Sequence, residues 1–440
     1  MVAGLALPLP EGIMIRIKTA TACLVILTVL LAAIYLPALY GKLFFERIRK
    51  TALFYSPVIK DFIYTEKIVG EVPEIAKQKA EDHHADIAYR DREGNWYTRQ
   101  EFEKMLPFIY YKNMELWGLL PLHLGGRILD KETIQKNRQV MELRRGDISD
   151  HKPLTPLWPL LESKPAQARL VFPADRFRMT DTAMEFVNAD YNMVDQKLTN
   201  LFTSALRKKG FRFPARSVNG KYTILKPFDE GVFLVDQNWH VFHVKRVSGQ
   251  PQVVKTPIDP ALKTRYMKIS ESRRREYYGL LLGGDGSLHA MTYDNYRLIP
   301  IPIKNYVPDE MDFKLIINPL YRTAIYSDDA VVRALVMDLD YQPIAEYEYQ
   351  MSRSIRTAAH EACDFLFPYT VTAEKRPGGY FRLGWKWGGT LSLLGILCTL
   401  IGFAIFLKIR RERFPRLAEI ILILLTGVYG LLAVHIIEES

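Results

Sequence analysis

Nine residues, Lys408-Ile409-Arg410-Arg411-Glu412-Arg413-Phe414-Pro415-Arg416, separate two long apolar runs, Leu391 to Leu407 and Leu417 to Ile437. As a helix, each run is about long enough to cross ~30 Å of hydrocarbon. Neither carries a charge in its middle. The connecting segment is too short to be a domain, and five of its residues are Lys or Arg. Basic residues in short loops are retained on the cytoplasmic side of a membrane. Lys408, Arg410, Arg411, Arg413 and Arg416 are therefore the topology-determining residues of a helical hairpin with its turn in the cytoplasm. Both outer ends of that hairpin, and everything before Gly384, then face the other side.

The net charge of +10 resembles a nucleic-acid signal until it is located. Residues 1–50 carry six basic and two acidic residues, and residues 374–440 carry nine and five, which leaves only +2 for the body. The excess flanks the apolar runs, so nucleic-acid binding is not expected. Mean hydropathy near zero fits a soluble body with a few spans. Of the three cysteines, Cys23 and Cys398 lie in apolar runs and Cys363 is alone in the body, which excludes an internal disulfide framework and a four-cysteine zinc site,.

Arg16 and Lys18 precede a first apolar run, Thr19 to Tyr40. A cleaved signal peptide competes with an anchor here, but no small-x-small site follows the run, which reads as an uncleaved anchor. Met14 is an alternative start, with residues 1–13 an extension ahead of it. Four basic residues within Gly41 to Lys50 favour the opposite orientation. Long domains translocate largely regardless of flanking charge, so the C-terminal hairpin decides.

In the body, residues 51–70 read as extended. Ile87 to Thr98 reads as a hairpin turning at Asp91-Arg92-Glu93-Gly94,. Thr98-Arg99-Gln100-Glu101 fits a capping box opening a helix, and Asp130 fits the cap of another,. Pro153, Pro156, Pro159, Pro165 and Pro173 mark an extended connector. Asp195 caps the clearest helix, with Leu198, Leu201, Phe202, Ala205 and Leu206 on one stripe and Lys208-Lys209-Gly210 ending it,.

From Phe211 the pattern changes to short strands in three similar sets. Val232–Asp236 turns into His240–Val244 and then Gln252–Ile258. Gly279–Gly283 turns at Gly284-Asp285-Gly286 into Ser287–Tyr293 and then Arg297–Ile303. Ala324–Ser327 turns at Asp328-Asp329 into Val331–Met337 and then Pro343–Tyr349. Val241, Leu288 and Val332 are equivalent, at offsets of 47 and 44 residues. Such a period suggests propeller-like blades, but three do not close a ring: either the N-terminal strands supply the rest or the sheets stack openly.

In the second span Gly388, Ser392, Gly395, Thr399 and Gly402 recur every three or four residues and share one helical face. Small residues let helices approach closely in lipid. Gly427 and Gly430 of the third span complete a candidate packing face, which serves either the hairpin itself or the spans of another membrane protein. No carboxylate, Lys or Arg is expected to be buried within the spans, which disfavours an ion pathway.

Catalytic signals are sparse. His360-Glu361-Ala362-Cys363-Asp364 has Asp364 where the zinc-protease motif requires a second His,. The adjacent histidines of Glu81-Asp82-His83-His84-Ala85-Asp86 point apart. His240 and His243, three apart in a strand, face opposite sides. Gly283-Gly284-Asp285-Gly286 joins two strands and reads as a turn, not a phosphate cradle. Arg273-Arg274-Arg275 reads as an exposed loop open to acidic partners or headgroups. No catalytic, cofactor or metal residues are assigned.

Several segments resemble an uncharacterised bacterial membrane-protein family, the domain of unknown function 4857. They are Asp91-Arg92-Glu93-Gly94-Asn95-Trp96-Tyr97-Thr98, Leu157-Trp158-Pro159-Leu160-Leu161-Glu162-Ser163, Met184-Glu185-Phe186-Val187-Asn188-Ala189, the run from Leu201 to Gly210, Asp229-Glu230-Gly231, and Thr426-Gly427-Val428-Tyr429-Gly430. The resemblance implies an inner-membrane protein encoded beside ABC-transporter components, and it supplies no catalytic residues.

The expected fold is α+β and membrane-anchored: a β-rich, propeller-like extracytoplasmic domain with a few helices, plus three transmembrane helices. The expected segments are a cytoplasmic N-terminus (1–18), a span (19–40), a mixed α/β extracytoplasmic segment (41–210), β-rich repeats (211–370), a membrane-proximal linker (371–387), a span (388–407), the basic turn (408–416) and a span (417–437). The expected function is an interaction module, an accessory subunit of an ABC-type transport system, in the bacterial inner membrane with most of the chain periplasmic. Its expected partner is another integral membrane protein. An envelope sensor or ligand-binding protein working through a partner, and an envelope enzyme with an unrecognised site, are the alternatives.

Overall fold

A computed structural model describes residues 11–45, 49–68, 71–79, 86–148, 156–165, 169–375, 381–411 and 413–438. The chain divides into two compact units, residues 48–354 and the two ends of the chain together.

Helix α1 (Glu11–Phe44) precedes the body, which opens on an antiparallel sheet of β1 (Ala52–Ser56), β2 (Asp61–Lys67) and β3 (Ile87–Asp91). Helix α2 (Glu74–Lys79) lies between β2 and β3, and α3 (Arg99–Met105) and α4 (Tyr111–Leu116) follow. The predicted capping box opens α3: Glu101 N donates to Thr98 Oγ1 (3.1 Å) and Thr98 N to the Glu101 carboxylate (2.7 Å). A ribbon of β4 (Leu122–Leu124) and β5 (Arg127–Leu129) leads to α5 (Lys131–Lys136), capped by Asp130 as expected. β6 (Gln139–Leu143) joins a sheet completed much later in the chain.

The sheet of β7 (Asp175–Met179), β8 (Met184–Asn188) and β9 (Met193–Val194) packs on α6 (Gln196–Lys208). Asp195 caps α6, and Phe202 and Leu206 of the predicted stripe are fully buried. The hydroxyls of Thr199 and Thr203 accept from Phe186 N (2.9 Å) and Met184 N (3.1 Å), stitching the helix to β8.

Three antiparallel four-stranded meanders follow. The first is β10 (Ser217–Gly220), β11 (Val232–Val235), β12 (Val241–Val247) and β13 (Gln250–Lys255). The second is β14 (Tyr266–Ile269), β15 (Tyr277–Leu282), β16 (Leu288–Thr292) and β17 (Leu298–Pro300). The third is β18 (Asp312–Ile317), β19 (Arg322–Ser327), β20 (Val331–Met337) and β21 (Pro343–Gln350), with β6 added beside β18. Each predicted repeat is present, with one more strand in front.

The meanders stack face to face. Val232 and Leu234 meet α6 and β8, whereas Phe233 and Val235 meet Met267, Ile269 and Leu281 of the second sheet. Leu280 and Leu282 meet Phe313, Leu315 and Met337 of the third, whose Val332, Ala334 and Val336 meet Leu53, Tyr55, Phe62 and Tyr64 of the first small sheet. Alternate residues thus serve opposite layers, and strands buried on both faces read as continuous apolar runs. Among the described residues the blades do not close into a propeller. α6 covers the outer face at one end and the β1–β3 sheet the outer face at the other, so capping layers do what ring closure would do.

The second unit gathers α1 with α7 (Ala358–Leu366), a hairpin of β22 (Tyr369–Lys375) and β23 (Phe381–Trp387), α8 (Thr390–Arg411), α9 (Leu417–Thr426) and α10 (Val428–Glu438). The expected linker 371–387 is therefore largely a hairpin, and α7 leaves the β-rich repeats for this unit. Two helical stretches, Thr19–Phe44 and Thr390–Arg410, are long and apolar enough to cross a membrane, and a signal sequence would meet the same test at the first. The ends converge on α7: Tyr40 Oη donates to Ala359 O (3.1 Å), and Phe45 stacks on His360 at 4.2 Å.

The expected third span is not one helix. It breaks at Gly427 (φ 55°, ψ −132°), a conformation open to glycine,. Past the break, a Cβ added at Gly430 would stand 3.0 Å from Leu422 O. Eight residues of straight helix span ~12 Å, so the chain has folded back. α10 then descends along α8: Gly427 faces Ile396, Val434 clusters with Phe403 and Leu407, and His435 lies 6.3 Å from Phe406. α9 and α10 are each ~15–17 Å long, half a membrane crossing. The far end of α10 therefore returns toward the basic turn, contrary to the expectation that both outer ends of the last hairpin lie opposite it.

Candidate functional site

The predicted packing face is used within this unit. An added Cβ would fall 2.6 Å from Phe367 O at Gly388 and 1.7 Å from Phe365 O at Gly395. α8 thus lies directly against the backbone of α7 and the turn that follows it. Ser392, fully buried between them, donates to Gly389 O (2.6 Å), and Thr399 donates to Gly395 O (2.7 Å). Gly427 meets Pro368 and Ile396, and Gly430 meets Leu422. Gly402 differs, since nothing lies within 4 Å of an added Cβ there.

In the basic turn, Arg413 pairs with Glu419 (3.0 Å), whose carboxylate also accepts from Arg416 N (2.8 Å). Glu419 is buried, contrary to the expectation of no buried carboxylate in the third run, but it sits in the first turn of α9 and closes the loop. Lys408 lies 5.1 Å over the Phe414 ring, and Arg410 and Arg416 are exposed. The side chain of Arg411 lies outside the described residues.

The body holds an apolar slot that local sequence patterns do not announce. Phe54, Leu106, Phe108 and Ile109 face Val140 and Ile316 across a cavity of ≈190 Å³. Arg138 and Lys314 also line it. Lys314 is paired with Glu142 at 2.9 Å, and the Arg138 guanidinium lies 5.0 Å from the Tyr111 ring centroid. A second cavity of ≈340 Å³ continues past Phe54, Lys314 and Ile316 to Lys50, Arg144 and Asp312. The first suits an apolar group lying beside the Arg138 guanidinium, whereas the cations of the second are already paired, Lys50 with Asp312 (2.7 Å) and Arg144 with Glu142 (3.1 Å),. The slot exists because β6 pairs with β18 some 170 residues later, a contact with no local signature.

A buried polar cluster joins the first two meanders. Lys226 Nζ contacts Asp229 (2.6 Å) and Glu271 (2.7 Å), all three nearly excluded from solvent. Asp229 also accepts from Ser163 Oγ and Gly231 N (both 2.9 Å). Burial, opposed by Lys226, holds the Glu271 carboxyl above its usual range, and its second oxygen has no partner among the described residues. Next to it Lys245 pairs with Glu230. Burial also pushes the His243 imidazole down to about 3, leaving it neutral, with Nδ1 on Tyr296 Oη (2.9 Å) and Nε2 on Glu230 O. The cluster is a fully packed knot between sheets rather than an open site.

The remaining sequence candidates are structural. His360 caps α7 through Thr357, and Asp364 pairs with Arg356. His240 lies 3.5 Å from Asp236, one residue before β12 begins, whereas His243 is inside the strand. Gly283–Gly286 is a hairpin turn, closed by Gly283 N on Ser287 O (2.8 Å). Arg274 pairs with Glu276 and Arg275 covers the Phe228 ring, so only part of that basic run is free. The histidines at 83 and 84 lie outside the described residues. Among the described residues no group of three metal-ligating side chains gathers.

No curated protein matches the chain. A solved structure described as PorZ, an essential bacterial surface component of the type-IX secretion system of Porphyromonas gingivalis, aligns over 77% of this chain at 8% identity and a TM-score of 0.22. That score is too low to identify a shared fold, and the chain spans only 38% of that structure's length. A family model matches residues 52–337, almost the whole β-rich unit, and the chain belongs to the family described as Domain of unknown function (DUF4857).

Proposed function

We propose that this protein is a membrane-anchored interaction module whose β-rich unit works outside the cytoplasm, as an accessory subunit of an ABC-type transport system in a bacterial inner membrane. The carrying observation is the meeting of the end of α1 and the start of α8 at α7. Both connections to the β-rich unit leave the apolar helices at one end, and the basic turn lies at the other. Retention of Lys408, Arg410, Arg413 and Arg416 in the cytoplasm then assigns the body to the opposite side. Gly402 and its exposed neighbours Ile401 and Ile405 offer a close approach to a helix of another integral membrane protein,. The slot beside Arg138 supports a second reading, a ligand-binding sensor that signals through such a partner.

Two measurements test the proposal. D285C should react with an impermeant thiol reagent once the outer membrane is opened, and R413C should not. Cross-linking in intact cells, followed by purification in mild detergent, should recover a multi-span protein. Inverted labelling refutes the sidedness, and a lone monomer from several detergents refutes the accessory-subunit role.

A further inference from the structure

We infer that the β22–β23 hairpin is a bilayer-contacting wing that rests Leu383, Trp385 and Trp387 in the interfacial layer of the membrane. This rests on the membrane-anchored reading above. The three side chains are 66%, 75% and 57% exposed. Spaced two apart on one strand, they share a face. Their partners in register, Ala373, Val371 and Tyr369, carry that face onto β22. Tyr369 and Val371 pack into the cluster that includes Val29 and Ala33 of α1, and the Tyr429 hydroxyl donates to Tyr369 O (2.6 Å). β22 is thus anchored on the apolar helices, and β23 extends the same face beyond them.

Lipid is the occupant that fits. Trp387 stands three residues before Thr390, where α8 starts, and the exposed Leu391, Leu393 and Leu394 continue the apolar surface into that helix. A large apolar face bare to water calls for a partner. Indole rings favour the boundary where an apolar layer meets a wet one. Lys386, exposed on the opposite face of the strand, is placed to reach headgroups.

The remaining four tryptophans, Trp96, Trp117, Trp158 and Trp239, all belong to the β-rich unit, so tryptophan fluorescence reports the hairpin against an aqueous background. The full-length protein is reconstituted in nanodiscs whose lipids carry bromines either near the headgroup or at mid-chain. We expect shallow bromines to quench part of the emission more strongly than deep ones. W385F/W387F should lose most of that quenching. Should the double variant not assemble, W385F and W387F made singly should each lose a part of it. No lipid quenching of a protein that resists carbonate extraction overturns the wing and leaves the anchoring intact. The same holds if the two tryptophans are instead shielded by a co-purifying protein. Release of the protein by carbonate overturns the anchoring, and the wing with it.

Discussion

Gly395 and Gly402 lie two turns apart on one face of α8, and their surroundings give opposite predictions for the same substitution. In G395A the new methyl group would sit 1.7 Å from Phe365 O. An ordinary C···O contact is ~3.3 Å, so backbone must retreat by roughly 1.6 Å. The obstacle is a carbonyl of α7, not the end of a flexible side chain. Cost therefore belongs at the upper part of the ~1–3 kcal/mol typical of overpacking. G402A meets nothing within 4 Å. Alanine there gains helix propensity, at most ~1 kcal/mol on scales measured in water. The two variants should differ by about 2–4 kcal/mol. The assay is thermal unfolding in mild detergent in a C23S/C398S background, since both of those thiols are exposed, followed by reaction of a maleimide dye with Cys363, which is buried where α7 meets α1. At roughly 2–4 °C per kcal/mol, G395A should expose this thiol several degrees below wild type. G402A should unfold at or slightly above wild type. Equal midpoints for the two variants, or a larger fall for G402A, would refute the internal packing of this face.

Other outcomes follow from the same geometry. K226M strands Asp229 and Glu271 without their cation and should destabilise the β-rich unit by about 3–5 kcal/mol in urea unfolding; a change under 1 kcal/mol would mean the pair is hydrated. Burial holds the Glu271 carboxyl above its ordinary 4.5. The unfolded chain releases that proton first, so stability is full below pH ~4.5 and falls as pH rises through the folded value. E271Q should flatten this decline in pH-dependent urea midpoints, and an unchanged slope would contradict the assignment. Glu66 accepts from Thr51, Tyr349 and the backbone and hydroxyl of Ser352, at 2.6–2.8 Å. E66A should cost at least ~2 kcal/mol by leaving these buried donors unpaired, measured against the milder T51A. In whole-cell labelling E438C should behave like R413C and unlike R356C; labelling together with R356C would show that α10 crosses the membrane instead of returning.

The β-rich unit was legible wherever a feature is local. Thr98, Asp130 and Asp195 cap helices because a cap needs only a side-chain oxygen three residues before a free backbone N–H,. The repeat offsets located the meanders because each strand pairs with its neighbour in sequence. Closure was not legible. Whether blades form a ring depends on what covers the two end sheets, and α6 and the β1–β3 sheet come from outside the repeat. The Arg138 slot was missed for a related reason, since β6 pairs with a strand that lies beyond two intervening meanders in the sequence.

The unit formed by the two ends of the chain was misread where composition and backbone part ways. The run from Leu417 to Ile437 is apolar throughout, and hydropathy alone cannot separate a helix that crosses from two half-helices that turn back. The discriminating signal was Gly427 with Gly430: read as a packing face, they also mark where a helix can break and fold closely on itself. Irregular backbone at membrane depth persists only where protein covers it. Here Pro368 and Ile396 lie against Gly427, while Tyr429 reaches Tyr369 O. The same contacts fix α7 and the base of the β22–β23 hairpin to α8. Loosening the break with a bulkier residue at Gly427 should therefore disturb the hairpin's contact with lipid as well as the fold of α9 on α10. Loss of Trp387 should leave that fold intact, because the cluster around Tyr429 does not include it, whereas Trp385 packs on Tyr369 (ring centroids 5.4 Å apart), so its loss loosens the edge of that cluster without unseating Tyr429 itself.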